Sequence, residues 1–198
     1  ALAAGVAFLA SPQLASAWGF AAHRMVNRKA IDTLPRSLRA LFEGNADYLA
    51  EHAIDPDLWR AAGRPGEGPN HFLDLDAFGA LPFTEVPVEE AEHVRKHGPE
   101  AVERGRVPWR VAEVYAELVA SFRARDPGRI LERAAILGHY VGDAHVPLHA
   151  VLNYDGQLSG QDGLHARWES ALVDRFAVQL DSAVAPRPAS SVRHPIEL

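Results

Sequence analysis

Apolar residues recur along this chain at spacings of three and four, the period of helices that bury one face, and no stretch alternates as a strand would. Met25, Val26, Ala30, Ile31 and Leu34 carry that rhythm from Trp18 to Leu34, where Pro35 closes the helix. Ser37 is placed to cap a second helix with the stripe Leu38, Leu41, Phe42, Tyr48 and Leu49. Asp55-Pro56-Asp57 then opens a turn-rich passage through Gly63-Arg64-Pro65-Gly66-Glu67-Gly68-Pro69 that lands on His71-Phe72-Leu73-Asp74. Pro82, Pro87 and Pro99 leave room only for short helical pieces. Pro108-Trp109 opens a strong helix carrying Val111, Val114, Tyr115, Leu118, Val119 and Phe122, and Asp126-Pro127 starts the next. A Gly- and Asn-rich loop fills 153–163, and a last helix begins near His165. From Ala183 the chain is Pro- and Ser-rich and is expected to be loose. The pattern predicts an all-α fold, a single compact multi-helix domain with long loops over 18–182 and a tail over 183–198.

One segment of the Asp126-Pro127 helix breaks the apolar pattern. Gly138 to Ala150 contains His139, Asp143 and His149 in the spacing H-x3-D-x5-H. Residues four apart stack on one helix face, so His139 and Asp143 can grip one ion together. Pro147 ends or kinks that helix and can swing His149 toward a neighbouring ion. A hydrogen-bonded core cluster is the competing reading, but three such groups on a mostly apolar helix are costly to bury without a partner. His165 and Glu169 repeat the same spacing and, with His149, make a second candidate site. Asp57 and His71 stand at the two ends of the Gly/Pro-rich passage. Asp55 offers the same chemistry as Asp57, but Leu58-Trp59-Arg60 suggests a helical turn that anchors the latter. His52, His93, His97, His145 and His194 lack a partner at ligand spacing and read as surface or supporting groups, and Arg64, Arg104 and Arg110 as solvated charges.

Composition narrows the chemistry. The chain has ten His and no Cys in 198 residues, so any metal is held by nitrogen and oxygen, which suits zinc, and no disulfide is available as a staple. A formal net charge of −6 argues against a duplex-DNA binder without excluding an enzyme that grips phosphates through cations.

The first seventeen residues change the expected compartment. An apolar run over Ala1 to Ala10 precedes Ala15-Ser16-Ala17, an A-x-A cleavage site, and the segment reads as a secretory signal peptide lacking its basic start. The run is too short to span a membrane, so no transmembrane anchor is expected. A buried N-terminal helix is the competing reading. Cleavage after Ala17 would make the protein secreted or periplasmic and free the Trp18 amine, with a pKa of roughly 7.7 to 8. That amine and its carbonyl can chelate a metal, with His23 a turn away; a Trp packed under the first helix fits the same residues.

Taken together, Trp18-Gly19-x3-His23, Asp57, His71-Phe72-x-Asp74, His139-x3-Asp143-x5-His149 and His165-x3-Glu169 resemble the bacterial zinc-dependent phospholipases C and the single-strand-specific fungal and plant nucleases. The likeness runs from Trp18 to about Phe176. It implies a helical fold with three zinc ions in a cleft. One would take Asp57, His71, His139 and a bridging Asp143; a second, His149, His165 and Glu169; the third, the Trp18 amine and carbonyl, His23 and the other side of Asp143. It further implies hydroxide held between two zincs as the in-line nucleophile at phosphorus, with Asp57 orienting it or taking its proton. The short Trp18-to-His23 spacing and Trp168 look like the nucleases, whereas Glu169 and the gap from His149 to His165 look like the phospholipases. Phospholipid is therefore the first expected substrate and single-stranded nucleic acid the second, with Phe72 and Asp74 as substrate-binding residues able to stack on and hydrogen-bond a base. A non-enzymatic module that uses the same ligands only to hold helices together is the further alternative.

Overall fold

The structure is a computed structural model that describes residues 19–185, 192–194 and 196. Helix α1 (Phe20–Thr33) stops where Leu34 turns extended, as a residue before proline must. Helix α2 (Arg36–Glu43) starts directly after Pro35, so Ser37 lies inside it and caps nothing. Proline's fixed φ and missing N–H suit the mouth of a helix, which is why it takes the position expected of the serine. The predicted second stripe is also split, because Gly44-Asn45 breaks it and α3 (Ala46–Glu51) begins afresh. A 3-10 turn over His52–Ile54 leads into α4 (Asp55–Ala61), and two further turns cover Gly68–His71 and Leu75–Ala77. Next come α5 (Glu90–His97), a turn at Pro99–Arg104, and the long pair α6 (Val107–Ala124) and α7 (Pro127–Ala144). Asp126 caps α7 by accepting from the Arg129 N–H at 3.0 Å. After a turn at Pro147–Ala150, the last helical run is α8 (Leu164–Ala166), a π turn at Arg167–Ala171, α9 (Leu172–Arg175) and α10 (Ala177–Ala183).

The fold is all-α. Among the described residues there is no strand, only a single antiparallel bridge between Leu73 and Gly105. Gly105 has φ +94°, and a Cβ there would collide with the Phe72 carbonyl, so glycine is what lets this bridge close and fix Phe72.

Helix α7 lies between two cores. On one side Ile136 and Tyr140 pack with Val107, Trp109, Val111, Val114 and Leu73; on the other, Ala135 and Ile130 pack with Ile31, Phe42 and Leu49. Burying such side chains contributes about 1.5–3 kcal/mol each. The strip between the cores is where His139 and Asp143 fall, at 0% exposure. The α1–α7 contact is fixed by Asn27, whose amide donates to Leu49 O at 2.9 Å and Ala135 O at 3.0 Å. Gly138 makes room for it, since a Cβ there would collide with Asn27 Oδ1. Gly138→Ala is therefore expected to displace a buried, doubly bonded amide and cost about 2–4 kcal/mol. Denaturant unfolding checks this, and an unchanged midpoint would contradict it.

Two expectations about polar residues need correction. His93 is 1% exposed rather than at the surface, packed against Phe78, His97 and Trp109 with neither ring nitrogen hydrogen-bonded. Its spacing gave no sign of this, because Phe78 and Trp109, which cover it, come from other segments, and only His97 lies on its own helix. Burial, then the neighbouring His97, lowers its pKa below 6.5, with Glu90 opposing and Lys96 adding to the shift. The unfolded chain thus takes up the proton first. His93 costs no stability above pH 6.5, and costs progressively more as pH falls through 6.5 toward the depressed folded value. His93→Phe should flatten that acid limb, so the variant's advantage in melting temperature should grow between about pH 7 and pH 5; a difference independent of pH would contradict the assignment.

Arg110 is not a solvated charge. Its side chain is 14% exposed, its guanidinium lies over the Tyr140 ring and it pairs with Glu113 at 3.1 Å. Arg64 is exposed but stacked on Trp59, and Arg104 is exposed. Residues 192–194 are exposed, and Ile196 packs against the Val107–Tyr140 core. No helix among the described residues is long and apolar enough to cross a membrane.

Candidate metal centre

Six separate elements deliver buried His, Asp and Glu side chains to one region. Helix α7 presents His139 and Asp143 one turn apart. It then stops at Ala144, and the turn Pro147–Ala150 brings His149 back, held where the Leu73 N–H donates to its carbonyl at 2.8 Å. Helix α1 supplies His23, and the first turn of α4 supplies Asp57. Asp55 faces away and pairs with His52 at 2.7 Å, which is why Asp57 is the one that points inward. The turn Gly68–His71 supplies His71. The last helical run supplies His165 and, from its π turn, Glu169. A π turn inside a helix is uncommon and often marks a functional position.

These eight side chains form three groups whose ligand atoms lie within 4.8 Å of one another: His23, Asp57 and His139; His71, His139 and Asp143; His149, His165 and Glu169. Asp143 sits at the middle. One carboxylate oxygen is 2.9 Å from His71 Nδ1 and 3.1 Å from His139 Nε2, and the other is 3.4 Å from His23 Nε2 and 3.7 Å from His149 Nδ1. His149 turns its second nitrogen to Glu169, at 3.6 Å, while His165 Nε2 is 2.8 Å from the same carboxylate. His23 thus stands with Asp57 and His139 as well as with Asp143, a grouping that the carried-over ligand scheme divides between two ions. The backbone already fixes one tautomer. His139 Nδ1 is 2.8 Å from Ala53 O, an oxygen that can only accept, so Nδ1 carries a proton and Nε2 faces the cluster, 3.1 Å from both His71 Nδ1 and Asp143 Oδ2.

Trp18, expected to offer its amine and carbonyl, lies outside the described residues, as does the leader before it. The next residue, Gly19, donates its N–H to Glu169 O at 3.0 Å.

The electrostatics fit a cation. Burial would push the Asp143 carboxyl up, but His139, His23 and His71 around it hold it well below the usual carboxylate range. Burial would strip the proton from His71, yet Asp143, Glu67 and Asp57 hold it, up to about 9. Burial would also raise Glu169, and His149 and His165 lower it. Asp143 and Glu169 are therefore held as charged carboxylates in the interior, the form in which they can bind a cation. Both ring nitrogens of His23 and His165, both oxygens of Glu169, and Asp143 Oδ1 are buried without making a hydrogen bond. Orphaned buried donors and acceptors on this scale are costly. These groups could hold a metal ion, and their donors are all nitrogen and oxygen.

A cleft of ≈320 Å³ opens onto the same groups. His71, His149 and His165 line its floor; Phe72, Leu148 and Tyr154 give it apolar walls; Arg60 and Asp74 add charge. Phe72 and Asp74 therefore do meet the cleft. Burial, then the nearby Asp76, raises the Asp74 carboxyl to about 6 against the pull of Arg104.

Several supporting residues escaped the sequence reading. Glu67 is 3% exposed and stands 3.6 Å from His71 Nε2. Its i, i+4 spacing to His71 is the same as that of His139 to Asp143 and was a usable signal. Asp155 holds the start of the last helical run, accepting from the N–H groups of Gly163 at 3.0 Å and His165 at 3.1 Å. Arg60 and Tyr154 join the cleft only through the fold, and no spacing announces them.

No protein-family model matches this chain, and no solved structure matches it. A curated protein of Bradyrhizobium tropiciagri, described as a probable serine protease, is 30% identical over 96 residues, which is 40% of this chain. The chain spans 12% of the length of that relative.

Proposed function

We propose that the protein is a zinc-dependent phosphodiesterase of the phospholipase C kind, with three zinc ions held by Asp57, His71, His139 and Asp143, by His149, His165 and Glu169, and by His23 with the Trp18 terminus. The observation that carries the reading is the convergence of eight buried His, Asp and Glu side chains beside a cleft. Bound there, divalent cations would neutralise a phosphodiester's charge and acidify water at its phosphorus. Arg60 lines the same cleft and can give a phosphate oxygen a charged, two-pronged hydrogen bond. Asp57 Oδ1 lies 3.8 Å from His71 Nδ1 and 3.6 Å from Arg60, both of which line the cleft, and from behind them it can orient an attacking water and accept its proton. Phe72, Leu148 and Tyr154 suit the apolar part of a lipid ester.

The nuclease reading keeps one observation in its favour, the aromatic pair Phe72 and Tyr154 beside a carboxyl, Asp74, poised near 6. A purely structural zinc module is less well supported, because His71, His149 and His165 border the cleft, where a coordination position can stay open. The relative's description does not supply a better chemistry. The chain spans only 12% of that relative's length, so the description does not carry over to it.

The test is hydrolysis by the chain beginning at Trp18, on phosphatidylcholine, other phospholipids and single-stranded DNA, with and without chelator. Release of a phosphorylated head group, abolished by chelator and restored by zinc, is expected. Cleavage of DNA alone would favour the nuclease, and a zinc-loaded protein inactive on all three would overturn the enzyme reading.

A further inference from the structure

The turn that carries His71 contains a second buried acid that no part of the proposed chemistry uses. Glu67 is 3% exposed, and its Oε1 is 3.6 Å from His71 Nε2, on the side of the ring that faces away from Asp143. That nitrogen is buried and makes no hydrogen bond of its own. The same Oε1 accepts a short hydrogen bond from the Tyr140 hydroxyl, and Tyr140, at 0% exposure, sits on α7 next to His139. Arg110 closes the row, its guanidinium 5.2 Å from the centre of the Tyr140 ring. A charged carboxylate this deep is costly unless it is matched, and the groups that match it are His71 and Tyr140.

An imidazole can offer a lone pair on one nitrogen only while the other holds the proton. A carboxylate fixed beside the outer nitrogen decides which is which, and also strengthens the inner one as a ligand. We propose that Glu67, locked in place by Tyr140, is a positioning residue for the metal centre: it accepts from the His71 Nε2–H, keeps the proton on that nitrogen, and so presents Nδ1 to the ion shared with His139 and Asp143. The inference rests on the metal reading above and adds a residue to it. It also gives the two histidines of that group complementary anchors. His139 is held through Nδ1 by the Ala53 carbonyl, and His71 through Nε2 by Glu67. Tyr140 ties the second anchor to the same helix that carries His139, so the two ligands are registered to one rigid element.

The experiment is a cobalt titration of the chelator-stripped chain, followed by competition with a chromophoric chelator, in wild type, Glu67→Gln and Tyr140→Phe. Glutamine keeps an oxygen for the tyrosine hydroxyl and nearly the same volume, so packing is conserved while the charge is lost. Glu67→Gln should weaken one class of cobalt site by about 10- to 100-fold and alter its visible spectrum, while the class held by His149, His165 and Glu169 is unchanged. Tyr140→Phe should shift the same class in the same direction by less, and serves alone if the glutamine variant fails to fold. Melting of the stripped proteins separates positioning from support: a general structural role would lower the melting temperature and weaken both classes together, which overturns the proposal. Unchanged affinity in both variants also overturns it, leaving the metal reading intact. A wild type that binds no cobalt would sink both.

Discussion

Asp143→Asn is expected to empty most of the metal centre and remove several kcal/mol of stability from the loaded protein. The carboxylate is 0% exposed and has four imidazoles within 3.7 Å, from His23, His71, His139 and His149, which come from four different elements. An amide is nearly isosteric, so the packing of α7 should survive. It cannot supply the charge on which a cation at two neighbouring groups would depend, and its NH2 would face ring nitrogens that need to stay free to bind. Truncating one partner of a buried charge cluster costs about 3–5 kcal/mol, and metal binding is linked to folding, so the two losses should appear together. The checks are metal content per chain and denaturant unfolding with zinc present. The proposed phosphodiester hydrolysis should fall below detection in the same variant, since several kcal/mol of its barrier would depend on the cations. Unchanged metal stoichiometry would remove Asp143 from its central role.

Chelation of the wild-type protein should produce a loss of the same order without any change of sequence. The cluster region is expensive to fold when its charges are left to balance one another: the buried oxygens of Glu169 and ring nitrogens of His23 and His165 make no hydrogen bond. The chain has no Cys, so no disulfide offsets that cost. Each kcal/mol shifts the melting temperature of a chain this size by about 2–4 °C, so removal of the ions should lower it by roughly 10 °C or more. Zinc should restore it, and magnesium, which prefers six oxygens, should not. A melting curve indifferent to chelator would mean that the histidines are held by protons alone.

The helices and the grouping of most candidate ligands were legible in the sequence because they depend on local spacing. The i, i+4 pairs His139/Asp143 and His165/Glu169 mark one face of one helix each, and Pro147 marks the turn that brings His149 back. The strong helix was foreshadowed by Pro108 at its first turn, and α7 by its Asp126 cap. What could not be read was anything set by tertiary contact. Ser37 has the chemistry of a cap, but Pro35 two residues earlier already sets the start of α2. His93 looks like any helix-surface histidine until Phe78 and Trp109 close over it. Arg110 is taken out of solvent by the ring of Tyr140, thirty residues on. Glu67 lies between these cases, since its spacing to His71 was visible but its burial was not.

The most direct test is anomalous diffraction at the zinc edge from crystals of the chain beginning at Trp18, grown with zinc. The account predicts peaks at about 2.0–2.2 Å from the nitrogens and oxygens of His23, Asp57, His71, His139, Asp143, His149, His165 and Glu169, with at least one ion open to the cleft lined by Phe72 and Tyr154. Zinc-soaked crystals in which those eight side chains bond only to one another and to water, with no anomalous peak among them, would contradict it.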